Sequence, residues 1–380
     1  MRVLVLIYEY PPVGGGGGMV AREISHGLAR LGHDVHVITT HFKGLPTQED
    51  QDGVRVFRIP AARRALYRAS LLDMLCFVIS GIWFGMTHLR HWRPDVIHVH
   101  FAVPSGPVAW ILSRLSGVPY VLTAHLGDVP GGVPDKTTRW FRWIYPFTPA
   151  IWRDASRVVA VSSHTRQLAL QHYPVEIQVI PNGVDRDILN PGELCVNRPA
   201  RILFAGRFVG QKNPHQIIDT LKALEDLGWN CVLAGDGPLR EKMMQQIRSL
   251  GLDHRIRLTG WILPDEVIRW MRSSDILFMP SHSEGLPVVG VQSLAMGLAI
   301  VASPSGGFID LVDDGVNGYL IDVNQPEGYE RALRVLLSDP ERLLRARQAS
   351  RSKARAFDLH TIVGEYEKLL TAVIRNEKSI

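Results

Sequence analysis

The 380-residue chain predicts an α/β protein made of two Rossmann-like, doubly wound domains in tandem. Three observations carry that expectation. Short Val/Ile-rich runs alternate with helix-length segments from end to end, the pattern of buried parallel strands joined by crossover helices. The length exceeds what one hydrophobic core usually fills. A segment over 190–199, with Pro191, Gly192 and Pro199, reads as a linker between halves of the same pattern.

Taken in order, the strand-like runs of the first half are residues 3–7, 35–39, 54–59, 96–100, 120–123 and 158–161. Between the first two, apolar residues recur at Val20, Ile24, Leu28 and Leu31, and Gly32 follows as a C-cap, so this stretch is helical. The longest apolar stretch runs from Leu71 to Met86 and is interrupted by Asp73. It is shorter than the ~18–20 residues a membrane span needs. It reads either as a core helix with a solvated basic end or as a membrane-surface helix. In the second half the runs are residues 201–205, 231–234, 256–259, 276–279, 299–302 and 318–321. A last helical stretch, 360–375, has an apolar face able to pack back on the first domain. The expected domains are therefore 1–190 and 191–359, with the terminal helix, about 360–380, returning to the first.

Apolar residues make up 46% of the chain and charged residues 21%, ordinary for a folded soluble protein and unlike a disordered, collagen-like or coiled-coil chain. The net charge of +5 and pI of about 9.2 favour anionic partners. No nucleic-acid recognition motif accompanies them, so phosphorylated ligands are expected and nucleic acid is not. Cys76, Cys195 and Cys231 are scattered and odd in number, which fits a reducing compartment without a disulfide framework or zinc site. The run at 3–7 reads as a strand rather than a signal peptide. A cytoplasmic location is the expectation, with peripheral contact on the inner face of the membrane as the alternative.

The first βα connection holds five glycines, residues 14–18, just ahead of a helix. Such a loop lets backbone amides approach a phosphate at the positive helix end; a plain flexible turn is the alternative. No G-x-G-x-x-G register fits, because position 19 is Met, and the second strand ends without an acidic residue. A nicotinamide-dependent enzyme is therefore disfavoured. Arg207 and Lys212 follow the first strand of the second half, at the edge where open α/β sheets bind ligands. They suit a diphosphate, or are two solvated charges. Glu284 follows another strand and precedes a helix on which residue 292 lies two turns along. A carboxylate there suits sugar hydroxyls and a polar group at 292 suits a ribose, against an exposed Glu and a surface Gln. His98 and His100, at a strand end, read as packing or cleft residues rather than a metal site.

At these residues the chain resembles the retaining glycosyltransferases of the GT-B fold, family 4. The resemblance spans almost the whole length. It is carried by Gly15-Gly16, Leu31-Gly32-His33-Asp34-Val35, Leu122-Thr123-Ala124-His125-Leu126-Gly127-Asp128, and Val179-Ile180-Pro181-Asn182-Gly183-Val184-Asp185. Gly206-Arg207 with Lys212, Ala234-Gly235-Asp236-Gly237-Pro238 and Glu284-Gly285-Leu286-Pro287 complete it. Their order and spacing carry more than any one of them. The resemblance implies two domains facing a central cleft and a nucleotide-diphosphate sugar as donor substrate, with no cofactor and no metal.

The resemblance also implies roles. Gly16, beside Gly15, would offer its amide to the donor phosphate. Arg207 and Lys212 would hold the diphosphate and stabilise the charge growing on it. Glu284, in the run with Gly285, Leu286 and Pro287, would bind donor-sugar hydroxyls, and His125 would line the cleft beside the sugar. Trp261 and Ile262 would lie near the nucleobase. The family pattern places a second Glu where this chain has Gln292, and often a Glu where it has Asp310 after Gly306-Gly307. Gln292 accepts a ribose hydrogen bond without the charge, so nucleotide affinity is expected to be lower by about tenfold.

The resemblance further implies retention of the anomeric configuration. No carboxylate stands out as a nucleophile, so attack from the face that the diphosphate leaves is expected. The acceptor belongs on the first domain, where Arg63, Arg64 and Arg68 precede the apolar run and Arg139-Trp140-Phe141-Arg142-Trp143-Ile144-Tyr145 mixes cations with aromatics. Basic residues beside aromatics suit a membrane interface. A glycan or lipid-linked acceptor in cell-surface polysaccharide or lipopolysaccharide assembly is the expectation. Rival readings are a non-catalytic nucleotide-sugar binder, suggested by Gln292, and a nucleotide-sugar epimerase, which needs a carboxylate pair that is not evident.

Overall fold

The structure, a computed structural model, describes residues 1–64, 69–133 and 144–377. Arg68 and residues 139–143 of the cation–aromatic stretch lie outside the described residues. The chain divides into two compact units, one of Met1–Gly183 with Leu359–Ile380, the other of Val184–Asp358.

The first unit is an eight-stranded sheet, with strands β1 (Arg2–Leu6), β2 (Asp34–Thr40), β3 (Gln48–Gln51), β4 (Val54–Ile59), β5 (Val96–His100), β6 (Tyr120–Ala124), β7 (Arg157–Ala160) and β8 (Ile177–Val179). Their spatial order is β3-β4-β2-β1-β5-β6-β7-β8. Every pairing is parallel except β3 with β4. β5 and β6 are buried at every position, which is why they read as unbroken apolar runs. β3 is polar throughout, Gln-Glu-Asp-Gln, and forms an edge against β4 with Glu49 opposite Val56. The sequence pattern misses it because an exposed charged edge carries no apolar signal. β8 escapes for another reason: it is three residues long.

Helix α1 (Gly16–Arg30) buries Val20, Ala21, Ile24 and Leu28. Leu31, expected on that face, is the C-cap and is half exposed. The helix Leu359–Glu377 packs against α1, with His33 Nε2 2.8 Å from Glu367 Oε1. Helix α2 (Leu71–His91) is longer than the apolar run that predicts it. Ser70 and Asp73 cap its start reciprocally. It packs on α3 (Ser105–Ser116) through glycines, Gly81 against Val108 and Gly85 against Leu112. By length and composition α2 would suffice to cross a membrane; its glycine face instead holds it on the unit's surface.

The second unit is a six-stranded parallel sheet, with strands β9 (Ala200–Ala205), β10 (Trp229–Ala234), β11 (Ile256–Gly260), β12 (Ile276–Met279), β13 (Ala299–Ala302) and β14 (Gly318–Leu320). Its order is β11-β10-β9-β12-β13-β14. The segment 190–199, expected as a linker, is part of this unit. The Asp275 carboxylate accepts the amides of Asn197 and Arg201. Arg347 donates to the Gly297 and Cys195 carbonyls, and Arg351 donates to the Gly192 carbonyl and Asn190 Oδ1. With its backbone tied in this way, the segment places the boundary at Gly183/Val184 rather than at residue 190.

Candidate functional site

In an open parallel sheet, ligands bind beyond the carboxyl ends of the strands where the winding reverses. In the second unit that point lies between β9 and β12, since β10 and β11 extend one way and β13 and β14 the other. The loop after β9 carries Arg207 and Lys212. The loop after β12 carries Glu284, Gly285, Leu286 and Pro287, and Val288–Ala295 follows as a helix. The two loops are tied together. His282 N donates to the Gln211 carbonyl at 2.8 Å, and Gln211 Nε2 donates to the Ser283 carbonyl at 2.8 Å.

Lys212 Nζ lies 2.5 Å from Glu284 Oε1. Glu284 is only 5% exposed, so each charge depends on the other for compensation. Arg207 is exposed at the same strand end. Gln292 is half-buried in the helix behind Glu284. Trp261, 54% exposed, and Ile262 follow β11, the far edge strand on the β9 side. Asp310 sits in the first turn of the short helix Phe308–Leu311.

At two glycines the neighbouring loops leave no space for a side chain. Gly306, at φ +77°, packs so closely that a Cβ there would fall 1.6 Å from the Glu284 carbonyl oxygen. Gly235, at φ +148°, would likewise place a Cβ 1.9 Å from the Gly206 carbonyl oxygen. The loops after β13 and β10 thus brace the loops that carry Glu284 and Arg207 by direct backbone contact. In the sequence these glycines stand out only as parts of motifs; the bracing itself depends on long-range contact.

In the first unit the reversal lies between β1 and β5. Gly15 and Gly16 follow β1 and are exposed, with Gly15 as N-cap and Gly16 the first residue of α1; no acidic side chain occupies its first turn. His125 follows β6 and is 8% exposed. Between them stands Phe101, a residue the sequence pattern does not single out. It has φ +70°, its ring stacks on His125 at 4.3 Å between centroids, and its edge lies over Gly17.

Asp128, to which the sequence motif assigns no role, is a second. Its carboxylate accepts the His125 amide at 2.8 Å and the Val103 amide at 3.3 Å, joining the turns after β5 and β6. Burial raises its pKa to about 7 against the opposing pull of those amides. Burial lowers His125 to about 4 and His98 to about 3, and holds His100 well below its usual value. All three imidazoles are therefore neutral at physiological pH. His98 Nε2 bonds Thr123 Oγ1 at 2.9 Å, and His100 Nδ1 lies 3.5 Å from His125 Nε2. Among the described residues, His98 Nδ1 and His100 Nε2 have no hydrogen-bond partner.

Comparison with known proteins accounts for both units. Residues 14–188 match the family described as Glycosyltransferase Family 4, and residues 186–353 match Glycosyl transferases group 1. The D-inositol 3-phosphate glycosyltransferase of Xylanimonas cellulosilytica is 27% identical, over 92% of this chain and 90% of its own. Sucrose-phosphate synthase from Thermosynechococcus elongatus superposes with a TM-score of 0.86 at 20% identity, covering 99% of each chain. Anabaena HepE, solved with UDP and glucose, superposes with a TM-score of 0.79 at 21% identity, covering 98% of this chain and 99% of its own. These solved structures carry the GT-B fold. The chain belongs to the group 1 glycosyltransferases of the family 4 type and is a glycosyltransferase.

Proposed function

We infer that the chain transfers a glycosyl group, with retention of anomeric configuration, from a nucleoside diphosphate sugar to a glycan or lipid-linked acceptor of cell-surface polysaccharide or lipopolysaccharide assembly. The observation that carries this reading is the Lys212–Glu284 pair at the reversal point of the second sheet, with Arg207 at the same strand end. A diphosphate brings more negative charge to Lys212 than the single carboxylate does, so donor binding draws the ammonium toward phosphate. Glu284, released from that pair, accepts hydrogen bonds from the donor sugar's hydroxyls.

As the bond between the anomeric carbon and the phosphate oxygen breaks, negative charge grows on the diphosphate. Arg207 and Lys212 stabilise that charge more than they stabilise the intact donor, which lowers the barrier. The acceptor oxygen forms its bond on the face the diphosphate leaves, and its proton passes to the departing phosphate oxygen. Within the first unit, the Gly16 amide at the start of α1 is open to an anion, and His125 offers a neutral polar surface. The UDP and glucose bound by the Anabaena structure support a nucleotide donor.

The test is a transfer assay with the product's anomeric configuration read by NMR, for wild type and Glu284→Gln. The expected result is a product with the donor's configuration and at least about a 100-fold loss of rate in the variant. An inverted product, or a variant as active as wild type, overturns the reading. Donor binding without transfer or hydrolysis would favour the non-catalytic binder.

A further inference from the structure

Leu71, the first residue of α2, is 56% exposed, and four further large apolar side chains of the helix stand in solvent: Leu72, 63% exposed, Leu75, 54%, Ile79, 61%, and Trp83, 71%. Their spacing of three and four residues puts them on one face. The opposite face, with Asp73, Phe77, Gly81 and Gly85, is buried. α2 is therefore apolar on both sides, and only one side is covered. Monomeric soluble proteins rarely leave a contiguous patch of this kind without a partner.

The surrounding charge identifies the partner. Arg64 is exposed ahead of the helix, and Arg90, His91 and Arg93 are exposed at its other end. Neither Arg64 nor Arg90 forms an ion pair among the described residues. The acidic residue of the helix, Asp73, is buried in its cap. Basic groups at both ends suit an anionic surface. They oppose a second copy, because either orientation of two such helices sets cation against cation. Trp83 adds an amphipathic ring of the kind that settles at headgroup depth.

We propose that the exposed face of α2 is a docking surface for anionic phospholipid bilayers, with Leu72, Leu75, Ile79 and Trp83 entering the headgroup boundary and Arg64, Arg90 and Arg93 meeting lipid phosphates. The helix lies in the interface, held by its glycine face to α3. This inference stands apart from Arg207, Lys212 and Glu284, which belong to the second unit.

Flotation of the full chain with vesicles of phosphatidylcholine alone, and with about one third phosphatidylglycerol, tests it against the double variant Ile79→Glu with Trp83→Glu. Both positions are exposed, so the variant leaves the core untouched. The prediction is that wild type floats with anionic vesicles, floats poorly with neutral ones and releases in high salt. The variant is predicted to bind at least about tenfold more weakly. Its thermal shift with nucleoside diphosphates is predicted to equal that of wild type, so a lost donor site would show separately. Absent vesicle binding, equal binding by the variant, or a wild-type dimer split by the variant in light scattering would each overturn the proposal.

Discussion

The Glu284 carboxylate pairs with the Lys212 ammonium, and in the proposed reaction it turns to the sugar hydroxyls once donor binds. Glu284→Gln frees Lys212 from a competing charge while weakening the grip on the sugar. Calorimetric titration is therefore predicted to show free nucleoside diphosphate binding at least as tightly as in wild type, with the extra affinity of the sugar-bearing form lost. A parallel loss of both affinities would mean that Glu284 acts only by holding Lys212 in place. Gln292 offers a gain-of-function counterpart. Gln292→Glu restores a charged acceptor at a half-buried position, and nucleotide affinity is predicted to rise about tenfold in the same titration. An unchanged affinity would detach residue 292 from the ribose. Both positions can be picked out in the sequence, Glu284 because it follows a strand end within a recognisable motif and Gln292 because it lies two turns along the next helix, where that motif has a Glu. Phe101 cannot, and Asp128 is seen only as the end of a motif without a role, because their importance lies in contacts with His125 and with one another's turns, which sequence spacing does not encode.

At the level of elements, a parallel sheet delivers its strand ends to one edge, and the backbone beyond them sets how accurately side chains are placed. Gly306 lies against the Glu284 carbonyl at positive φ. Gly306→Ala therefore meets both backbone strain and a collision. It is predicted to cost about 1–3 kcal/mol in the unfolding free energy of the second unit and to reduce transfer more than thermal stability alone accounts for. Full activity at unchanged stability would show that the two loops move independently. The alternating pattern exposes nearly every buried strand, because β5, β6, β12 and β13 are buried throughout and hydrophobicity records that directly. It misses β3, whose pairing rests on backbone bonds at a polar edge. It also misplaces the linker, because the ties from Asp275, Arg347 and Arg351 to 190–201 come from residues far along the chain. The apolar run from Leu71 suggests a core helix or a membrane-surface one, and the structure buries one face of α2 and leaves Leu72, Leu75, Ile79 and Trp83 of the other exposed.

For the whole molecule, the two units differ in how they meet acid. In the first unit His98, His100 and His125 are buried with lowered pKa values, as are His26 and His36, and partial burial lowers His88 as well. A lowered folded pKa means that the unfolded chain binds protons first. The stability these groups confer is complete above about pH 6.5 and is lost as the pH falls towards their folded values. Each deeply buried imidazole contributes a slope of at most about 1.4 kcal/mol per pH unit. Asp128 acts in the opposite sense. Its raised pKa returns stability as the pH falls from 7 towards 4, offsetting about one imidazole. The net prediction is that amide exchange, corrected for its intrinsic pH dependence, accelerates in β1, β5 and β6 between pH 6.5 and 4.5 before it does in β9 and β12. Simultaneous loss of protection in both units would contradict this.

If Arg207, Lys212 and Glu284 form a nucleoside diphosphate sugar site, a nucleotide must stabilise the folded chain through them. The most direct measurement is a thermal-shift series with UDP, GDP, ADP and CMP and their sugars, on wild type and Arg207→Ala. A ligand that binds only the folded chain raises its midpoint by mass action. The account predicts a rise with one nucleotide class in wild type and its loss in Arg207→Ala. A rise of equal size in the variant would contradict the diphosphate clamp, and no rise with any nucleotide would contradict the donor site itself.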